Sequence, residues 1–196
     1  MTTLADIRRV MAAHRPQLIS GDSKGRAAVA VILHEGATEL QALFIERAER
    51  AGDPWSGHMA FPGGRVAARD QNFRLAAERE TFEEIGLDLR SAEYLGRLDD
   101  LAGTTLPILV SGFVYRVEHP GHFELNCEVR DAFWIPLNDL TDSKRHVERR
   151  FQYRGEEHLL PAVDLLGPER PVLWGLTYRF VTQFLELLGH KIPKMP

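Results

Sequence analysis

Leu4, Ile7, Val10 and Met11 recur at the spacing of one helix face, and Arg15-Pro16 marks where such a helix stops. Two apolar runs follow, Ala27 to Leu33 and Leu40 to Ile45, separated by His34-Glu35-Gly36-Ala37-Thr38-Glu39, which predicts a β-hairpin. Beyond a loop of turn formers, Gly52-Asp53-Pro54-Trp55-Ser56-Gly57, a short apolar stretch ends in Phe61-Pro62-Gly63-Gly64. A helix is predicted from Phe73 to Ile85, stopped by Gly86. Strand patterns resume at Tyr94 to Leu98, Ile108 to Val117, Ala132 to Ile135, Phe151 to Tyr153 and His158 to Val163, and Trp174 to Leu188 reads as a last helix ending at Gly189. Strands before, between and after two main helices predict an α/β/α sandwich around a mixed sheet rather than repeating βαβ units.

Length and composition narrow the class. With 196 residues and 44% hydrophobic content, residues 1–196 are expected to form a single domain with short helical extensions at both ends. The formal charge of −4 argues against a nucleic-acid partner, whose footprint is a cluster of Lys and Arg. Charges at Asp6, Arg8 and Arg9 break up the start of the chain, so no signal peptide or membrane span is expected, and a cytoplasmic protein without a membrane partner is. Cys127 is the lone cysteine, which excludes an intramolecular disulfide; it reads as a buried structural residue.

The chemistry concentrates in Arg79-Glu80-Thr81-Phe82-Glu83-Glu84-Ile85-Gly86-Leu87. On a helix, Glu80, Glu83 and Glu84 share one face with Ala76 and Ala77, while Leu75, Phe82 and Ile85 are expected behind them. Like charges one turn apart cost ~0.2–0.5 kcal/mol per pair, so a cation should offset them. Mg²⁺ suits carboxylate oxygens and bridges to phosphates, and Arg79 can serve as a second, fixed cation. An acidic triplet taken alone is most simply a solvated helix face. The upstream Gly63-Gly64 pair changes that reading, because paired glycines let backbone approach a ligand closely.

In this order, glycines, a loop and then Arg-Glu-x-x-Glu-Glu-x-Gly-Leu, the chain resembles the Nudix hydrolase family. Arg79 to Leu87 match the second half of its signature, with Thr81 in place of an aliphatic residue. In the first half Arg65 and Gln71 stand where the signature has glycine and glutamate, and Gly64 and Asp70 each sit one residue earlier. That offset, with Phe-Pro-Gly-Gly directly before the loop, is similar to the branch of the family that hydrolyses coenzyme A. The resemblance implies a Nudix fold and a Mg²⁺- or Mn²⁺-dependent diphosphatase. Glu80, Glu84, Glu83 and Gly63 would be metal ligands, and Glu83 and Arg79 catalytic groups. All three acids are expected to converge on one metal site facing Gly63-Gly64.

Further residues carry two readings each. Glu128, in Leu125-Asn126-Cys127-Glu128-Val129, is either an extra catalytic acid from outside the signature or an exposed loop glutamate. Arg47-Ala48, with Gly57, resembles part of a coenzyme A-associated motif whose second arginine is displaced, since Gly52 holds its place and Arg50 lies nearby. Arg47 and Gly64 are therefore candidate substrate contacts. Trp55 and His58 either touch a base or phosphate or cover their own core, and Leu176, Phe180, Phe184 and Leu187 read as core or dimer packing. The expected substrate is a small nucleoside diphosphate derivative: coenzyme A or its thioesters, cut to 3′,5′-ADP and phosphopantetheine. Nucleoside diphosphate sugars or ADP-ribose are the alternative, and a nucleotide sensor without hydrolysis is a third. The resemblance also implies a possible homodimer.

Overall fold

In the computed structural model, which describes residues 2–20, 25–50, 56–103, 107–153 and 156–192, one strand organises everything else. This is β1 (Gly25–Glu35), buried on both faces: Ala28, Ala30 and Ile32 point to one side, Ala27, Val31 and Leu33 to the other. It runs parallel to β7 (Ile108–Val117) along nearly its whole length, from Gly25 opposite Ile108 to His34 opposite Val117. Strands buried on both faces read as continuous apolar runs, which is why β1 and β7 lack strict alternation.

The predicted hairpin forms, but only near its turn. β2 (Leu40–Arg47) pairs with β1 from Glu35 opposite Leu40 to Leu33 opposite Ala42. It then parts from β1 and follows β8 (Val129–Pro136), with Gln41 opposite Pro136 and Arg47 opposite Val129. The resulting fork is spanned by one short segment. Its first part, β3 (Met59–Ala60), pairs with β2, and its second, β4 (Gly63–Arg65), pairs with β1. Phe61-Pro62 makes the crossing, with Phe61 buried and stacked on Phe44 at 4.7 Å between ring centroids.

The eight-stranded mixed sheet is completed by β5 (Glu93–Arg97) and β6 (Leu101–Ala102), both antiparallel to β7. A separate antiparallel sheet contains β9 (His146–Tyr153), β10 (Glu156–Val163) and β11 (Leu173–Trp174), so β9 begins earlier than the Phe151 start the sequence suggests. Helix α2 (Phe73–Ile85) covers one face of the large sheet through Ala76, Ala77 and Ile85. On the other face lie α1 (Leu4–Ala13) and α4 (Gly175–Leu187), while α3 (Leu137–Thr141) follows β8. This is the expected α/β/α sandwich. No helix among the described residues is long and apolar enough to cross a membrane.

The packing face of α2 departs from expectation. Asn72 Oδ1 accepts from Leu75 N at 3.0 Å to start the helix. Its inward residues are Ala76, Ala77, Thr81, Glu84 and Ile85, whereas Phe82 is 55% exposed. The acids are therefore not backed by Phe82: small side chains let the helix lie close to the sheet, and Thr81 disposes of its hydroxyl by donating to Ala77 O at 2.7 Å.

Candidate active site

The fork places Gly63 beside the last turn of α2. Ala30 N donates to Pro62 O and Val66 N to Arg26 O, each at 2.9 Å, so the alternation of an antiparallel ladder leaves Gly63 N outside it. That amide donates to Glu84 Oε2 at 2.8 Å. Gly63 has φ +145°, and a Cβ there would stand 2.3 Å from Ala28 O and 2.6 Å from Val29 Cα, both main-chain atoms. Only glycine fits. At Gly64 a Cβ would meet Glu80 instead, 2.5 Å from its Cδ and 2.6 Å from Oε2. The missing side chain of Gly64 is thus the space that the Glu80 carboxylate fills.

Glu84 is 2% exposed. Burial pushes its carboxyl up to about 8; the Gly63 amide and Arg47 oppose this, and the charges of Glu80 and Glu128 add to it. Arg47 cannot neutralise it closely, since Nη1 stands 4.0 Å from Glu84 Oε1. Glu80 is also raised, chiefly by burial and against the pull of Arg79. Two adjacent carboxyls are thus held above the usual carboxylate range, chiefly by burial.

Arg79 presents a contrasting arrangement. Its Nε and Nη2 donate to the two oxygens of Asp70 at 2.8 and 2.9 Å, while Nη1 donates to Glu80 Oε1 at 2.8 Å and Glu83 Oε2 at 3.1 Å. Nη2 also reaches Arg65 O at 3.2 Å, which ties the loop after β4 to the helix. The Arg79 guanidinium, bonded to Asp70, holds that carboxyl down at about 2 despite its burial. The Ala67 amide adds a hydrogen bond at 2.7 Å. Asp70 therefore clasps the loop, and Gln71 beside it is exposed.

Glu83 does not join Glu80 and Glu84. It lies on the solvent side of the helix, paired with Arg69 Nη2 at 3.0 Å and with Arg79. Among the described residues, no three His, Cys, Asp or Glu side chains are gathered as a metal-binding group. Glu83 is held by Arg69 and shares Arg79 Nη1 with Glu80, while Glu84 turns to the Gly63 amide.

Across the fork, Arg47, Ala48, Arg50, Cys127 and Glu128 line a small cleft. Glu128 Oε1 pairs with Arg50 Nη1 at 3.1 Å, and Glu128 O accepts from Ala48 N at 2.8 Å. Cys127 is exposed, which overturns its reading as buried: it sits in the turn that leads into β8 rather than under the sheet. His58 O accepts from Arg47 N at 3.0 Å, and its ring meets Trp174 edge-on at 4.8 Å, with Phe151 stacked on Trp174 at 3.7 Å. His58 thus packs against aromatic rings of its own chain. Trp55 lies outside the described residues. Sequence reasoning missed Glu46, 1% exposed and bridged to Arg130 and Arg170 at 2.9 and 3.0 Å; an acid ending an apolar run beside Arg47 was the available signal.

Comparison with known proteins adds an independent line. The human mitochondrial coenzyme A diphosphatase NUDT8 is 29% identical over 187 residues, covering 93% of this chain and 76% of that protein. The Caenorhabditis elegans peroxisomal coenzyme A diphosphatase ndx-8 is 32% identical over 125 residues, or 61% of this chain and 52% of that protein. An uncharacterized Schizosaccharomyces pombe protein is 42% identical over 106 residues, 50% of this chain. The chain spans only 32%, 57% and 54% of the lengths of that protein and of two Arabidopsis thaliana Nudix hydrolases. Among solved structures, a MutT/nudix family protein from Enterococcus faecalis shares the fold with a TM-score of 0.56 at 18% identity, over 96% of this chain and 70% of that one. The NUDIX domain family matches residues 24–154, a stretch that holds the fork, α2 and β8, and the chain accordingly belongs to the Nudix family.

Proposed function

We propose that this protein is a divalent metal-dependent hydrolase of diphosphate bonds, acting on coenzyme A or its thioesters. One observation carries the chemistry: buried Glu84, bonded to the Gly63 amide, and Glu80, lying against Gly64 and bonded to Arg79, bring two carboxyl groups with hard-oxygen donors to one glycine pair. Such a donor set fits Mg²⁺ or Mn²⁺. Glu80 and Glu84 would hold the ion, with the Gly63 carbonyl as a further ligand. A bound ion neutralises phosphate oxygens and lowers the pKa of water.

The chain's own groups supply the rest. Arg79 fixes Glu80 and, through Asp70, the loop that carries Gly64. Glu83 and Glu128 are the two acids outside the donor pair and the candidates to accept a proton from water as it adds to phosphorus. The bridging P–O bond then breaks, giving phosphopantetheine and 3′,5′-ADP when coenzyme A is the substrate. Arg47 and Arg50, which line the cleft beside Glu128, are the groups we assign to substrate phosphates. Support for coenzyme A comes from the relatives named for that activity, from Phe61-Pro62-Gly63-Gly64 abutting the loop, and from Arg47-Ala48 upstream.

The test is a panel of coenzyme A, dephospho-coenzyme A, ADP-ribose and UDP-glucose with Mg²⁺ or Mn²⁺, products identified by mass. Coenzyme A should have the highest kcat/KM, and loss of its 3′-phosphate should lower it. Equal cleavage of dephospho-coenzyme A and ADP-ribose would overturn the coenzyme A assignment in favour of a broader diphosphatase. Full activity in chelator would overturn the mechanism.

A further inference from the structure

The segment between β7 and β8 is bonded to the catalytic helix at the residue that matters most. Glu124 N donates to Ile85 O at 3.0 Å and Asn126 N donates to Glu84 O at 2.9 Å, so residues 124–126 take up two carbonyls that the helix end leaves unpaired. From that anchor the chain turns at once. The Asn126 side-chain oxygen accepts from Glu128 N at 2.8 Å, and Asn126 O accepts from Val129 N at 3.3 Å, which closes a tight turn over Cys127. Glu128 O then accepts from Ala48 N at 2.8 Å, fixing the far end of the turn to the strand that carries Arg47. The Glu128 carboxylate emerges on the cleft lined by Arg47 and Arg50, close enough that its charge is felt at Glu84.

Asn126 is therefore bonded both to the backbone of Glu84 and to the backbone of Glu128. Its main chain is tied to the helix, and its side chain is tied to the acid two residues on. We infer that Asn126 is a positioning residue that holds the Glu128 carboxylate in a set place relative to Glu84. This rests on the proposed diphosphatase site. Without the Asn126 oxygen, the turn keeps its anchor on the helix but loses the side-chain bond to the Glu128 amide that aims the acid. Asparagine suits the place because its short amide reaches a main-chain N–H two residues on, whereas alanine has no acceptor and leucine would project an apolar group into a half-exposed turn.

The test is a double-mutant cycle on the full chain, using Asn126→Ala, Glu128→Gln and the double variant, with coenzyme A as substrate. Glu128→Gln should lower kcat at least ~10-fold, and Asn126→Ala should lower it comparably with KM changed less than about 2-fold. The double variant should match Glu128→Gln alone, because a residue that acts through another adds nothing once that other is gone. Asn126→Ser, which keeps a side-chain acceptor, should recover most of the activity. Amide exchange supplies a reading that needs no catalysis: the Glu128 N–H should be protected in the wild type and in Asn126→Ser. Effects that multiply in the double variant, a Glu128→Gln enzyme at wild-type kcat, or an unprotected Glu128 N–H in the wild type would each overturn the inference. If the wild type cleaves no diphosphate, the reading of the site falls, while amide exchange still decides whether Asn126 holds Glu128.

Discussion

The two edges of α2 meet carboxylates of opposite character. On the outer edge, Asp70, Glu83 and the outer oxygen of Glu80 meet Arg79 and Arg69 in ion pairs of 2.8 to 3.1 Å. On the inner edge, Glu84 has one main-chain donor and an arginine 4.0 Å away, with Glu80 and Glu128 adding charge of the same sign. The two side chains are similarly shielded from solvent, Asp70 4% and Glu84 3% exposed, but Glu84 lies deeper in the protein and only Asp70 has an arginine bonded to both its oxygens. Asp70 is held well below the usual carboxylate range and Glu84 well above it. An acid that its own fold pairs with a bonded arginine is structural, whereas Glu84, without one, is where we propose that a metal binds.

The comparison breaks most easily at Glu84. Glu84→Gln keeps the shape and an acceptor for Gly63 N but removes the charge, so turnover should fall at least ~10²-fold while the metal-free protein gains roughly 1–3 kcal/mol of stability in denaturant unfolding. A variant both active and less stable would remove Glu84 from the proposed metal site. Next in size is Gly63→Ala, whose Cβ would strike fixed main chain at 2.3 Å and should destabilise the fold by about 2–4 kcal/mol, read as a drop in melting temperature. Unchanged stability would mean that β4 is not held against β1 as described.

The outer edge should respond through stability instead. The folded-state pKa of Asp70 is depressed from 3.8 to about 2, so its contribution is present above 3.8 and is lost as pH falls through that interval to about 2. Asp70→Asn should cost on the order of 1–2 kcal/mol at neutral pH and flatten the loss of stability below pH 4. An acid-unfolding curve identical to wild type would remove Asp70 from the clasp. The smallest effect belongs to Glu83→Gln. Its exposed pairs with arginine are worth about 0–1 kcal/mol, and its loss of turnover should be at least ~10-fold smaller than that of Glu84→Gln. Equal losses would give Glu83 a part in the chemistry as large as that of Glu84, as a metal ligand or as the proton acceptor.

The limits of α2 were legible because they are set locally. Asn72 caps one end, Gly86 N bonds Phe82 O at 2.9 Å at the other, and the helix occupies Phe73–Ile85 as its pattern predicts. The role of Gly63-Gly64 as a place of close approach was legible for the same reason, since a glycine pair brings no side-chain chemistry and offers only room for main chain to come near. What Glu83 and Cys127 touch was not. Spacing gives an angle around a helix axis, but the arginines that hold Glu83 include Arg69, which the loop brings in from fourteen positions away. The fork was hidden too: β1 and β2 look like a plain hairpin until β4 takes the rest of that edge of β1 and β2 follows β8. Glu46 escaped notice because its two arginines come from β8 and from the turn before β11.

The fork also has a history in time. Extending the β1–β2 register past Leu33 opposite Ala42 would set Val31 opposite Phe44, with the same alternation of faces, so nothing local stops the hairpin from zipping further. What stops it is competition: the same edge of β1 must take β4, where Ala28 meets Gly64, and that contact closes a loop of 36 positions (64 minus 28). Such distant pairing is slow relative to hairpin closure. During refolding, the over-zipped hairpin is the natural kinetic competitor, and in it Gly63 has no strand to lie against. The bond between Gly63 and Glu84 is consequently expected to form late in refolding, after the helix that bears the acids, and time-resolved amide exchange at Gly63 would read it.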